Sequence, residues 1–177
     1  MRRLIVPRVA GALALRPATY RDVAADEAAG IQAGLLVVLV GIVEASVQSS
    51  VHGEPLASSD VAYCVIAALI GWLVWSGILF AVGARLFEEP VELKPLSRAV
   101  AFAHSPSIVY GVAALPGASH WAGLVLVVSL VWFVGALFAC VRGTMNVAPG
   151  RAAAITAAAL FAHEVLHQAL RAGGLMP

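Results

Sequence analysis

Apolar residues run through this chain in long stretches, not in the short alternations of strands or the narrow stripes of soluble helices. Five runs stand out: Ala28–Ser49, Val61–Leu86, Ser97–Leu115, Trp121–Val141 and Ala152–Ala172. Each is near the length that crosses a bilayer, since roughly 20 helical residues at ~1.5 Å rise span the ~30 Å hydrocarbon layer. The pattern predicts an all-α, polytopic integral membrane helix bundle with five transmembrane helices. The third and fourth runs meet at Pro116-Gly117 and form a hairpin around which the other spans are arranged. Lys94 and Arg98 precede this hairpin and Arg142 closes it, which assigns both of its open ends to the positive, cytoplasmic side.

The same reading divides the chain into a cytoplasmic amino-terminal segment (1–27), a five-span membrane domain (28–172) and a short external tail (173–177). The opening MRRLIVPRVAGALALRP has the basic start of a signal peptide, but Pro7, Arg8 and Arg16 interrupt its apolar stretch, so the segment is expected to be retained. Leu4, Ile5, Val9, Leu13 and Leu15 among arginines suit a helix lying on an anionic membrane surface, the alternative being a basic tail without fixed structure. Thr19-Tyr20-Arg21-Asp22 predicts a helix start of capping-box type. Gly30-x-x-x-Gly34 and Gly135-x-x-x-Ala139-x-x-x-Gly143 predict close helix packing. Ser105-Pro106 predicts a kink in the third span. Trp72 and Trp75, near the middle of the second span, are expected between helices and not at a headgroup level. The last span is the most polar, and an interfacial position is its alternative.

Composition strengthens the membrane reading. The 177 residues are 61% hydrophobic and only 12% charged, with a mean hydropathy of +0.92. With the amino terminus in the cytoplasm, every Lys and Arg but Arg171 falls inside, which puts the carboxyl terminus outside. Cys64 and Cys140 lie within apolar runs and read as buried thiols. No phosphate-binding loop, dinucleotide fingerprint or G-x-S-x-G occurs, and no basic, aromatic surface points to nucleic acid. The loop Phe87–Pro95 sets Glu88, Glu89 and Glu92 near Lys94 and Arg98 and reads as solvated, with docking of a partner as the alternative.

One motif suggests chemistry. His163-Glu164-Val165-Leu166-His167 is H-E-x-x-H on a predicted helix, where two histidines one turn apart can hold zinc and the glutamate can act as general base. A catalytic zinc takes three protein ligands, and none follows His167. Depth along the spans makes Glu44 the candidate third ligand to His163 and His167. His104, counted from Arg98, comes out too shallow, and His52 and His120 fall in external loops. The competing readings are a non-catalytic metal or proton site, and a structural or solvated polar cluster.

RAVAFAHSPSIVYGVAALPG, followed by VWFVGALFACVRGTMNVAPGRAA, resembles the core of the Yip (Ypt-interacting protein) family of multispanning membrane proteins, particularly its bacterial members. ALRPATYRDVA resembles the segment that leads into the family's first span. The resemblance implies five membrane helices and a cytoplasmic amino terminus, here in a bacterial inner membrane. Eukaryotic members are associated with Rab-type GTPases and carry an Asp-Leu-Tyr-Gly-Pro motif that this chain lacks, so Rab binding is not carried over. The leading expectation is a non-enzymatic membrane scaffold or organiser with no cofactor. Its partners would be the lipid bilayer, a membrane or cytoplasmic protein and, through the Gly/Ala stripes, a second copy of the chain. The alternatives are a zinc hydrolase or metal-binding protein using Glu44, His163, Glu164 and His167, and a transport or lipid-handling protein.

Overall fold

A computed structural model of the chain describes residues 4–173, the side chain of Ser119 apart. The elements are α1 (Ile5–Leu13), α2 (Pro17–Ala25), α3 (Ala29–His52), α4 (Ser58–Ala81), α5 (Leu93–Ala103), α6 (Pro106–Tyr110), α7 (Ala122–Met145) and α8 (Pro149–Ala172). A π-turn at Val82–Leu86 prolongs α4, and 3-10 turns occupy Gly111–Ala114 and Ser119–Trp121. No strand occurs among the described residues.

Three helices, not five, are long and apolar enough to cross a membrane: Ala29–His52, Ser58–Leu86 and Ala122–Met145, with mean hydropathies of 2.0, 2.3 and 2.8. The expected third span is broken, not kinked. The amides of His104 and Ser105 bond back only three residues, to Ala101 and Phe102, and Pro106 has no N–H to continue the ladder. Pro106 instead opens α6, whose chain tightens into a 3-10 turn before Pro116-Gly117. The expected fifth span forms one 24-residue helix, α8, but its alanines and the polar residues near its end leave it short of the apolar content of the other three. Thr19 does not start α2: Pro17 does, at the first helical position, where its missing N–H is no loss.

α5 is the axis of the bundle. Leu96 and every residue from Arg98 to Ala103 are buried, enclosed by α2, α3, α4 and α7. α3 packs on α4, and α7 packs on α2, α6 and α8. Gly41 lets α3 and α4 meet, since a Cβ there would lie 2.6 Å from Val65 Cα. The sequence motif pointed elsewhere on α3: a Cβ at Gly34 would have nothing within 4 Å, and one at Gly30 would only touch Arg98 at 4.0 Å. On α7 the Gly135/Gly143 stripe does mark close packing, against Leu15, Pro17 and Tyr20 of the amino-terminal segment.

That segment is part of the folded bundle. Tyr20 is fully buried and its hydroxyl donates to Ala12 O at 3.1 Å, locking α2 to α1. Trp132 Nε1, well inside α7, donates to Leu13 O at 2.9 Å, so the end of α1 lies alongside a spanning helix. Arg8 is buried and binds Asp26 and Gln32, Arg98 donates to Ala24 O, and Arg21 reaches Gly143 O and Asn146 Oδ1. Arg151 pairs with Glu89 and donates to Phe87 O. These contacts define a basic end of the bundle, from which α3, α5 and α8 start and at which α4 and α7 finish. The opposite, far end carries Ser49–Asp60 and the turn at Gly117, whose φ of +77° calls for glycine.

Candidate functional site

Apolar side chains on the outer faces of the long helices set the surroundings. Ile31, Leu35, Leu39 and Ile42 on α3 stand exposed at one-turn spacing, as do Ile66, Ile70 and Leu73 on α4 and Leu124, Val127, Val131 and Val134 on α7. Stripes of this length on long apolar helices fit the hydrocarbon layer of a membrane.

Within this frame α4 and α7 do not close on each other. They touch where Trp75 and Phe133 meet edge-to-face, with centroids 5.5 Å apart and planes at 76°. Beyond that contact, toward the far end, a cleft of about 400 Å³ remains between α3, α4, α6 and α7. Its apolar lining comes from Val40, from the small residues Ala67, Ala68 and Gly71 of α4, and from Leu126 and Leu130 of α7. Its polar lining is Glu44 and Gln48 from α3, His104, Ser107 and Tyr110 from the broken element, and Ser129 from α7.

The break at Ser105-Pro106 is what brings the middle three to the cleft, because it ends α5 and restarts the chain as α6 in a new direction. His104 packs on Phe133 with centroids 4.9 Å apart, and its Nδ1 lies 2.9 Å from Val100 O. A carbonyl only accepts, so Nδ1 carries the proton and Nε2 of the neutral ring is left as an acceptor. Among the described residues no hydrogen bond or ion pair reaches the Glu44 carboxylate. Ser129 is 5% exposed and its hydroxyl has no partner among the described residues. Gln48 also lines a smaller polar pocket of about 170 Å³ at the far end, with His52, Glu54 and Asp60.

The sequence placed Glu44 with His163 and His167. In the structure Glu44 belongs to the cleft, whereas the two histidines lie on α8 beyond Trp75. His163 stacks on Trp75 with centroids 4.3 Å apart and planes at 6°, and His167 follows at 6.5 Å. Glu164 is exposed and accepts a hydrogen bond from Gln168 Nε2 at 2.6 Å. Among the described residues no three His, Cys, Asp or Glu side chains form a group that could hold a metal ion. His52 lies in the far-end pocket and His120 stands beside Trp121, with centroids 5.1 Å apart. Cys64 and Cys140 are buried free thiols, and Trp72 donates to Ser97 O at 2.7 Å between helices, both as expected.

Sequence reasoning missed His104, Ser107, Tyr110 and Ser129 as one group. The depth count began at Arg98, taken as a surface marker, but Arg98 is buried against Ala24. Counting from Leu93, where α5 starts, sets His104 after 11 helical residues, deep enough to share a level with the cleft.

Lipid-facing stripes, buried polar groups and bundled apolar helices define an integral membrane protein of the α-helical class. The Yip1 domain model matches residues 11–168, nearly the whole chain, and the chain belongs to that family. No curated protein and no solved structure matches it.

Proposed function

We propose that this Yip1-domain protein is a non-enzymatic membrane organiser that binds partners at its basic end. The charge asymmetry supports a cytoplasmic basic end by the positive-inside rule, with an inside amino terminus and an outside carboxyl terminus, and a bacterial cytoplasmic membrane is part of the same proposal. In this reading the broken α5–α6 element and α8 complete the five passages through the bilayer.

The observation that carries the proposal is the loop after α4. Phe87 N closes the π-turn onto Val82 O at 3.1 Å, Glu89 N bonds Gly83 O at 2.9 Å, and Arg151 of α8 holds both Phe87 O and the Glu89 carboxylate. Glu88, at φ +55°, and Glu92 are exposed beside Leu86 and Leu93, which are 66% and 46% exposed. A loop fixed in advance loses little entropy on binding. Two carboxylates flanked by leucines suit a basic, amphipathic segment of a membrane or cytoplasmic protein.

The test is a photoreactive residue in place of Leu93, crosslinked in intact cells. A discrete protein adduct that disappears in Glu88→Lys/Glu92→Lys and weakens in Arg151→Ala supports the proposal. Adducts with lipid alone, or a protein adduct indifferent to charge reversal, overturn it.

A further inference from the structure

We infer that the cleft between α4 and α7 is a binding site for a cationic amphiphile, a protonated amine carried on an apolar tail that enters sideways from the bilayer. This site is independent of the basic-end surface and lies in the opposite half of the bundle.

Three observations converge on it. The first is Ser129. Four serine and threonine hydroxyls inside the long helices bond the carbonyl one turn back: Ser46 to Ile42, Ser76 to Trp72, Thr144 to Cys140 and Thr156 to Ala152, at 2.7–2.9 Å. Ser129 is 5% exposed, close to Ser76 at 2% and Thr156 at 4%, lines the cleft, and bonds nothing among the described residues. A buried polar atom without a partner is destabilising, and a site completed by a ligand accounts for it.

The second is the sign and type of the polar groups. Glu44 and the Nε2 of His104 are acceptors, and Gln48, Ser107 and Tyr110 each offer an oxygen. No Lys or Arg lines the cleft, and the sequence has none from Asp22 to Ala84 or from Ala99 to Val141. A phosphate or carboxylate head would therefore face Glu44 with no countercharge. An ammonium group has three donors for these acceptors and forms with the carboxylate a pair of zero net charge, the form in which charge is tolerated in a low-dielectric site.

The third is the opening. Leu126 and Leu130 are 40% and 53% exposed on one lip, and Ala67 and Gly71 leave the other lip low. An apolar tail can pass between these lips into lipid while the head stays at Glu44. The cleft of about 400 Å³ accommodates an amine head and the first part of a chain.

The experiment uses the full chain in phosphatidylcholine nanodiscs and reads the summed emission of its four tryptophans, of which Trp75 stands at the cleft wall. Dodecylamine is titrated beside dodecanol, dodecanoate and butylamine, with protein-free nanodiscs as the partition blank. The expected result is saturable dodecylamine binding, at least tenfold tighter than dodecanol or butylamine, and no saturable dodecanoate binding. Glu44→Gln should weaken dodecylamine at least tenfold. Ser129→Leu, which fills the cleft without touching Glu44, should abolish saturation while Ser129→Thr keeps it. Thermal melting of each variant separates loss of site from loss of fold. Equal binding of dodecanoate, equal binding by wild type and a normally folded Glu44→Gln, or only non-saturable partition overturns the inference.

Discussion

Replacing Gly41 with alanine tests how α3 and α4 are held together. The added methyl would lie 2.6 Å from Val65 Cα and 2.9 Å from Cys64 O and Val65 N. All three are backbone atoms, so no side chain can swing aside. Relaxation requires α3 and α4 to separate by about 1 Å, since carbon contacts settle near ~3.5–4.0 Å, and such a gap forfeits about a quarter to a half of each contact's attraction along the seam. Overpacking of this kind destabilises by about 1–3 kcal/mol. For a chain of this size that is a fall in Tm of roughly 2–12 °C. Gly34→Ala is the matched control on the same helix, where the new methyl meets nothing within 4 Å. It should leave Tm unchanged or slightly raised, because alanine is the better helix former. The assay is thermal unfolding of both variants in one detergent, followed by tryptophan emission. If Gly34→Ala were the damaging change and Gly41→Ala the silent one, the G-x-x-x-G pattern would have located the contact and the α3–α4 crossing described above would be wrong.

Gly143→Ala should loosen the amino-terminal helices, because its methyl would run into Pro17 O and Tyr20 Cβ; limited trypsin digestion should then cut after Arg21, whose side chain reaches Gly143 O and Asn146 Oδ1, several-fold faster than in wild type. Asp26 is held below its ordinary carboxylate range, chiefly by its hydrogen bond from Arg8. A lowered folded-state pKa means that the stability it confers is complete above the usual carboxylate range, about pH 4, and is lost as pH falls through the lowered value. Tm measured against pH should therefore drop more steeply at acid pH in wild type than in Asp26→Asn, and parallel curves would exclude the linkage. Trp75→Ala removes the edge-to-face contact with Phe133 and the stack with His163, and a loss of about 3–5 kcal/mol is expected, read as an early melting transition and a collapsed near-ultraviolet dichroism signal.

Hydropathy made the membrane class legible, because the long apolar helices at α3, α4 and α7 depend on little besides length and residue type. Helix packing was legible only where the partner was near in the pattern. Gly143 looked like a contact point and is one, but it receives the chain's own amino-terminal segment, whose apolar residues set among arginines had suggested a helix on the membrane surface. Gly30 and Gly34 match the same motif and pack against almost nothing, since whether a small residue lies in a seam depends on the rotation of its helix, which spacing does not encode. The break in the third span was visible as Ser105-Pro106; its depth in the bundle was not, because Arg98 was read as a boundary marker. The cleft was the least legible feature. Its polar groups come from α3, α5, α6 and α7, and only the folded arrangement sets Glu44 and Ser129 across one space from His104.

The distribution of charge divides this bundle into two halves with different duties. At the basic end Arg8, Arg21, Arg98 and Arg151 each bind an acceptor supplied by the chain itself through at least one nitrogen, while the buried Nε atoms of Arg8, Arg98 and Arg142 have no partner among the described residues. The cations that set orientation are therefore also the fasteners that hold α1, α2 and the loop after α4 in place. The exposed carboxylates of that loop, Glu88 and Glu92, outnumber its one exposed amine, Lys94, so a partner that docks there should be basic. In the far half the order is reversed. No arginine or lysine lines the cleft, and Glu44 and Ser129 find no partner within the described chain. A half-buried carboxylate and a buried hydroxyl in that state destabilise the fold unless something binds them. The basic end explains how the protein is assembled and oriented; the partner its own residues do not supply is to be sought in the cleft.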